Sequence, residues 1–550
     1  MARTPLLNRL QYLVGDYKEA EITGRPVSEV QAARRDGFSR RQFLKVGGAT
    51  LGAIALAGRI PAFARTAAPR IAIIGGGIAG LNAALTLHDA GFASTVYEAA
   101  DRVGGRMHSD TTSWLTGQVT EHCGELIDTA HVSILGLASR FNLATVDLHA
   151  AEPPGSTETY FFGGAYYPFA QASRDFEAVY DRLTADNNAA PFPTLYNSFT
   201  EAGFDLDHMS LYDWIDRHVP GGHGSKMGKL LDVAYNIEYG EVTTEQSSLN
   251  LVYLLYNPPL STNGFNPFGA SDERYHVVGG NEQIPKAIAS YLPSGSVKLR
   301  HRMTGIIHNS DNTYTLTFSA PSGQYHETVD RVIMAIPFSV LRTILTTDAA
   351  YRAAGFTRLK QTAITQLGYG KNSKLQLQFD SRLWDQHGPW GISNGTSYSD
   401  TGYQNTWDVT RGQNGKTGII VDYTGGGVPR ASFDGNPDDP EVVERFARTF
   451  LDQIEPVFPG VAKLWNGRAT LDVPRTNPFL LGSYSYWKVG QYTLFSGYEA
   501  ARQPDINSGK CHFAGEHCST NFQGFMEGGA EEGARAAQEV LNDYAAGIYP

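Results

Sequence analysis

The sequence predicts an α/β protein built on a Rossmann-type nucleotide-binding sheet, and three observations predict it. Gly75-Gly76-Gly77-Ile78-Ala79-Gly80 is a G-x-G-x-x-G turn directly after an apolar run, Ile71–Ile74. A short β-rich run, Ser94–Tyr97, follows about 20 residues on and ends at an acid, Glu98. A second glycine-rich stretch lies near the far end of the chain, Phe513-Ala514-Gly515-Glu516 and Asn521 to Gly529, leading into a helical run to about Leu541.

Each element has a physical reason. Four consecutive apolar residues suit a strand of a parallel sheet, buried on both faces. Gly75 permits the tight turn, Gly77 lets backbone approach a pyrophosphate, and Gly80 lets helix and strand pack closely. The helix expected over Leu81–Ala90 then turns its positive N-terminus to the phosphates, and Ala79, in the turn before it, is a candidate cofactor contact. Glu98 stands where a carboxylate meets a ribose diol. The next motif, Asp101-Arg102-Val103-Gly104-Gly105-Arg106, goes beyond what a nicotinamide enzyme needs and suits further contact with a diphosphate and a flavin.

Downstream, residues 150–280 are rich in aromatic and helical segments, including Leu249 to Tyr256. Val277–Asn281 opens a helix near Gln283–Leu292. Strands are expected at Lys298–Ile306 and Thr313–Ser319, and a buried strand at Asp330–Pro337. Lys371 to Phe379 alternates: Lys374, Gln376 and Gln378 share one face, Leu375, Leu377 and Phe379 the other. On pattern alone the polar set reads as a solvated face.

The first 64 residues differ from the rest. Ser39-Arg40-Arg41-Gln42-Phe43-Leu44-Lys45 is a twin-arginine signature, followed by a modest apolar run from Val46 to Gly58 and an Ala62-Phe63-Ala64 cleavage site. The expectation is export of a folded protein to the periplasm or outside, with residues 1–64 removed and no membrane insertion. These residues carry +5, leaving −16 on the remainder of a chain whose total is −11. So acidic a protein is a poor candidate for nucleic acid. Three cysteines, Cys123, Cys511 and Cys518, make no disulfide framework, though one bridge stays open. Cys511-His512 and His517-Cys518 have the look of metal ligands, but packing beside the glycine-rich motif accounts for them, and no metal is expected.

Glu98, Gly104-Gly105-Arg106, Gly515-Glu516 and Gly524-Phe525-Met526-Glu527-Gly528 together resemble the flavin amine oxidase family of monoamine, polyamine and L-amino-acid oxidases. The resemblance runs from about Arg70 to about Leu541, and among bacterial members it is greatest to exported L-amino-acid oxidases. It implies non-covalent FAD and a glutathione-reductase-like FAD-binding domain, of the Rossmann type, interleaved with an α+β substrate-binding domain. The implied FAD-binding segments are 65–148, 281–337 and 465–550, and the substrate segments are 149–280 and 338–464. A homodimer is expected.

The resemblance also implies roles. Lys374 precedes Trp384 by ten residues, the family spacing of a lysine that holds a water near the flavin and assists reoxidation; Lys371 lacks that spacing. Tyr484 and Phe525 match the aromatic walls between which the substrate amine sits, although monoamine oxidases have Tyr at both places. Ser483 stands where mammalian monoamine oxidases carry the cysteine that anchors FAD. Gly105, Arg106, Gly515, Glu516, Gly524, Met526 and the loop residues Gly124, Glu125 and Leu126 fall to the flavin, and Met303 to adenine through its backbone. Many L-amino-acid oxidases place in that loop an Arg that pairs with the substrate carboxylate. Here Glu121 to Asp128 contains no Arg; Asp128 instead stands at or near an acid of polyamine oxidases, and with Trp407 is a candidate substrate contact. The implied reaction is oxidation of an L-amino acid to its imine, with dioxygen or a cytochrome as acceptor. The alternatives are a monoamine or polyamine oxidase, an amide-forming flavin monooxygenase, and a non-catalytic FAD-binding protein.

Overall fold

The computed structural model describes residues 69–256, 272–426, 433 and 435–547. The expected export segment, residues 1–64, lies outside them. Among the described residues no helix is long and apolar enough to cross a membrane.

The first sheet has five parallel strands, in the order Cys511–Phe513, Arg331–Met334, Ile71–Ile74, Thr95–Tyr97 and Val297–Lys298. Its strands therefore come from three distant stretches of chain. Ile71–Ile74 is central and buried throughout, as its unbroken apolar run requires. Gly75 turns the chain at φ 109°, and a Cβ there would lie 2.7 Å from the Ala335 carbonyl oxygen. The first helix, Ile78–Asp89, begins three residues before the expected Leu81, directly after its N-cap Gly77.

Small residues bring the two glycine-rich motifs together. The C-terminal helix Met526–Ala545 packs against Ile78–Asp89. A Cβ on Gly533 would lie 2.1 Å from the Ala79 carbonyl oxygen, and one on Gly529 would lie 2.9 Å from Ile78. The Asn82 amide closes the seam by donating to the Ala530 carbonyl oxygen at 2.8 Å. Side chains at these contacts would force the helices apart, so glycine here sets the interhelical distance.

The second sheet has seven strands, ordered Trp465–Asp472, Ser373–Phe379, Gly418–Thr424, Asn405–Asp408, Ser393–Ser399, Thr157–Phe162 and Ala165–Tyr166. All neighbours are antiparallel except Ser393–Ser399 beside Thr157–Phe162. Helix Pro440–Ile454 covers the strands Ser373–Phe379 and Trp465–Asp472, placing Leu375, Leu377 and Phe379 in one apolar cluster with Phe450 and Ile454. The opposite face of Ser373–Phe379 is not solvated. Lys374, Gln376 and Gln378 are buried against the loop 115–125, where Gln378 donates to the Gln118 side chain at 2.7 Å. That loop supplies the hydrogen bonds that water was expected to supply.

Candidate active site

A cavity of about 390 Å³ runs from the carboxyl ends of the parallel strands to the second sheet. In open α/β sheets ligands bind at that end of the strands. Every residue nominated from the sequence lines the cavity except Gly80 and Asp128. Gly80 sits behind the turn, where a Cβ would lie 2.0 Å from the Gly75 carbonyl oxygen.

At the nucleotide end a Cβ on Gly77 would meet nothing within 4 Å, so its face is open to the cavity. Glu98 holds the surrounding loops: one carboxylate oxygen accepts from the Gly76 N–H at 2.6 Å, the other from the Ala100 N–H at 2.7 Å. Each oxygen keeps a second lone pair for a ligand hydroxyl. Gly104 and Gly105 both have positive φ, and the Gly104 N–H donates to the Gly76 carbonyl oxygen at 2.9 Å. Met303 contributes to the wall from the strand Arg302–His308.

Midway, Arg106 pairs with Glu516 at 2.8 Å and donates to the Ser483 carbonyl oxygen at 2.8 Å. Glu516 also accepts from the Ser485 hydroxyl and from the Gly524 N–H, each at 2.8 Å. Burial alone would raise its pKa, but the Arg106 charge and these donors hold it down at about 2. One carboxylate thus ties together three loops distant in sequence. The N-terminus of Met526–Ala545 opens on the cavity, with Phe525 as N-cap. Glu527 turns away from it and caps the helix Val132–Arg140, accepting from the Ser133 and Ile134 N–H groups at 2.8 Å.

At the far end the Lys374 ammonium lies 2.7 Å from Glu125 Oε2 and donates to the Glu121 carbonyl oxygen at 3.2 Å. The Trp407 indole N–H donates to Glu125 Oε1 at 2.9 Å. Burial opposes the Glu125 charge, but Lys374 and Trp407 hold its pKa below the ordinary value. Trp407 packs edge-on to Tyr423 at 5.2 Å, and the Tyr423 and Tyr484 hydroxyls are 2.9 Å apart. Tyr484 also donates to the Ile237 carbonyl oxygen at 3.2 Å. Phe525 packs edge-on to His131 at 5.2 Å.

The expected direct contact between Asp128 and a ligand is not what the structure shows. Asp128 is 1% exposed and lies outside the cavity wall. It accepts from the Glu273 N–H at 2.7 Å and lies 3.2 Å from His131 Nε2. It thereby holds Glu273, which does line the cavity and which the sequence analysis missed. Asp272-Glu273-Arg274 reads as a surface charge run, and no local pattern marks its middle residue as buried. Yet Glu273 is 5% exposed, and its Oε2 has no hydrogen-bond partner among the described residues. Burial, and then the Asp128 charge, push its pKa well above the ordinary value. Tyr423 was missed too, for want of a motif around it.

Among the described residues no group of three or more His, Cys, Asp or Glu is arranged to hold a metal ion, and all three cysteines are free.

The family model for flavin containing amine oxidoreductases matches residues 78–541. The chain belongs to the flavin-containing amine oxidoreductase family. Polyamine oxidase 2 of Arabidopsis thaliana is 24% identical over 508 residues, covering 86% of this chain and 88% of its own. A putative L-amino-acid oxidase of Bacillus subtilis is 25% identical over 498 residues, covering 86% and 94%. A double mutant of putrescine oxidase has the same fold, with a TM-score of 0.69 at 19% identity, covering 87% of this chain and 100% of that one. As a family member the chain is an oxidoreductase of CH–NH2 groups that uses a flavin. The cavity fits that cofactor: the open Gly77 face and the Glu98 lone pairs stand at one end, the Arg106 guanidinium in the middle, and the aromatic walls at the other end.

Proposed function

We propose that the chain is an FAD-dependent oxidase of an amine that carries a second cationic group and no α-carboxylate. The observation that carries this reading is the buried Glu273 carboxyl group in the cavity wall, whose Oε2 has no hydrogen-bond partner among the described residues. The Lys374 ammonium at the same end is already spent on Glu125. A substrate carboxylate would meet Glu273, with Asp128 behind it, while Lys374 is already paired with Glu125, and burying an unpaired charge is costly. A second ammonium would instead give Glu273 its partner, and on binding would draw off the proton that burial favours.

Tyr484 and Phe525 would flank the reacting amine, taken up in its neutral form, and orient its α-carbon. Their ring faces attract the partial positive charge that develops on nitrogen as the C–H bond breaks. Bound FAD supplies the hydride acceptor and passes the electrons to dioxygen. The imine product hydrolyses to a carbonyl compound and ammonia or an amine, and the reduction of dioxygen yields hydrogen peroxide. Non-covalent FAD is part of this reading, because the Ser483 hydroxyl has no thiol chemistry and donates to Asn372 at 2.6 Å. Yellow colour that stays with acid-precipitated protein would contradict it.

Matched pairs test the substrate: cadaverine against L-lysine, and phenethylamine against L-phenylalanine, in anaerobic flavin reduction. The decarboxylated member should react faster in both, and cadaverine faster than pentylamine. Glu273→Gln should remove the advantage of cadaverine over pentylamine. Faster reduction by the amino acids would instead establish the L-amino-acid oxidase reading, which the Bacillus subtilis relative favours.

A further inference from the structure

His517 is the second half of a motif that the reaction does not use. It lines the cavity, is 1% exposed, and neither ring nitrogen has a hydrogen-bond partner among the described residues. The other fully buried histidines each have one: His131 Nδ1 accepts from the Asp128 N–H, and His512 Nδ1 lies 2.7 Å from Glu539. Leaving a buried polar group unsatisfied costs about 1–3 kcal/mol. A ring orphaned at both nitrogens in a cavity wall therefore points to a ligand that completes it.

Two neighbours confine the ring. On one side it lies against Gly515, where a Cβ would be 2.6 Å from His517 Cε1. On another it meets the Phe338 ring, with centroids 4.3 Å apart. This contact gives Gly515 a second reason to be glycine besides its φ of 134°. Burial, and then Arg106, Lys360 and Arg342 against the opposing Glu516, lower the His517 pKa to about 3. The imidazole is therefore neutral, with one N–H to donate and one lone pair. A neutral donor beside the Arg106–Glu516 pair adds a directed hydrogen bond without further charge in the wall.

We propose that His517 anchors the cofactor by donating its imidazole N–H to a ribityl or phosphate oxygen of the flavin dinucleotide. The bond forms only in the holoenzyme, so it contributes to FAD affinity and not to the packing of the protein alone.

The test dilutes purified holoenzyme and follows the fluorescence of released FAD. His517→Leu should weaken FAD binding about tenfold, and His517→Asn, which keeps an N–H donor, should stay within about threefold of wild type. Added FAD should raise the thermal midpoint of His517→Leu further than that of wild type, because the weaker site is less saturated at the start. If the Leu variant does not fold, His517→Phe keeps a ring between Gly515 and Phe338 and carries the same comparison. Wild-type FAD retention in the Leu or Phe variant overturns the proposal. So does equal loss of FAD from the Asn and Leu variants, which would reduce His517 to packing.

Discussion

Lys374 and Glu125 form a buried ion pair with Nζ 2.7 Å from Oε2, joining a strand of the second sheet to a loop that follows the first. The two residues are 249 positions apart. Trp407 holds the other Glu125 oxygen, so the carboxylate is fixed at both ends and the ammonium is aimed along the cavity wall.

Lys374→Met should slow reoxidation by dioxygen about tenfold or more, on the scale of a positioned proton donor. It should also lower the thermal midpoint, because removing one member of a buried pair costs about 3–5 kcal/mol. Lys374→Met combined with Glu125→Gln should restore the midpoint and leave the oxidative half-reaction slow. If stopped-flow traces show the double variant reoxidising at the wild-type rate, Lys374 serves only to neutralise Glu125.

Glu499 should make stability fall as pH rises through 7. Burial raises its pKa from 4.5 to about 7, against hydrogen bonds from the Trp487 indole and the Gly497 N–H. A raised carboxyl pKa stabilises fully below pH 4.5 and loses that contribution by pH 7, a difference of about 3 kcal/mol at most. Its neighbour Lys360, lowered by burial from 10.5 to about 7, acts in the next window, where stability rises with pH. Glu499→Gln should flatten the thermal midpoint between pH 4.5 and 7 and leave the alkaline slope. An unchanged acid-side slope would assign it to another group.

Gly533→Ala should loosen the seam between the two glycine-rich helices. Its Cβ would fall 2.1 Å from the Ala79 carbonyl oxygen, a backbone atom that cannot rotate away. The expected loss is about 2 kcal/mol or more, with faster FAD release because Ala79 also lines the cavity. A control at Gly136, where a Cβ would meet nothing within 4 Å, should be near neutral. Equal thermal midpoints for the two variants would show that the helices can separate at little cost.

The sequence by itself determined the central βαβ unit of the nucleotide-binding sheet, the family and part of the cavity wall. Gly75, Gly77, Gly80 and Glu98 were legible because turn, phosphate approach and close packing are local demands, met at fixed offsets along one βαβ unit. Lys374, Tyr484 and Phe525 were legible through the family resemblance, which carries their spacing to neighbouring motifs. Tertiary structure alone decided the electrostatics of the substrate end. The sequence places Glu125 at the flavin and Asp128 at the substrate; in the fold one is paired with Lys374 and the other is buried behind Glu273. Glu273 and His517 emerged only on folding, because the hydrogen bonds a side chain makes, or fails to make, depend on distant segments. No periodicity encodes an unsatisfied atom: burial and missing partners are properties of the packed molecule, and they distinguish one amine oxidase pocket from another.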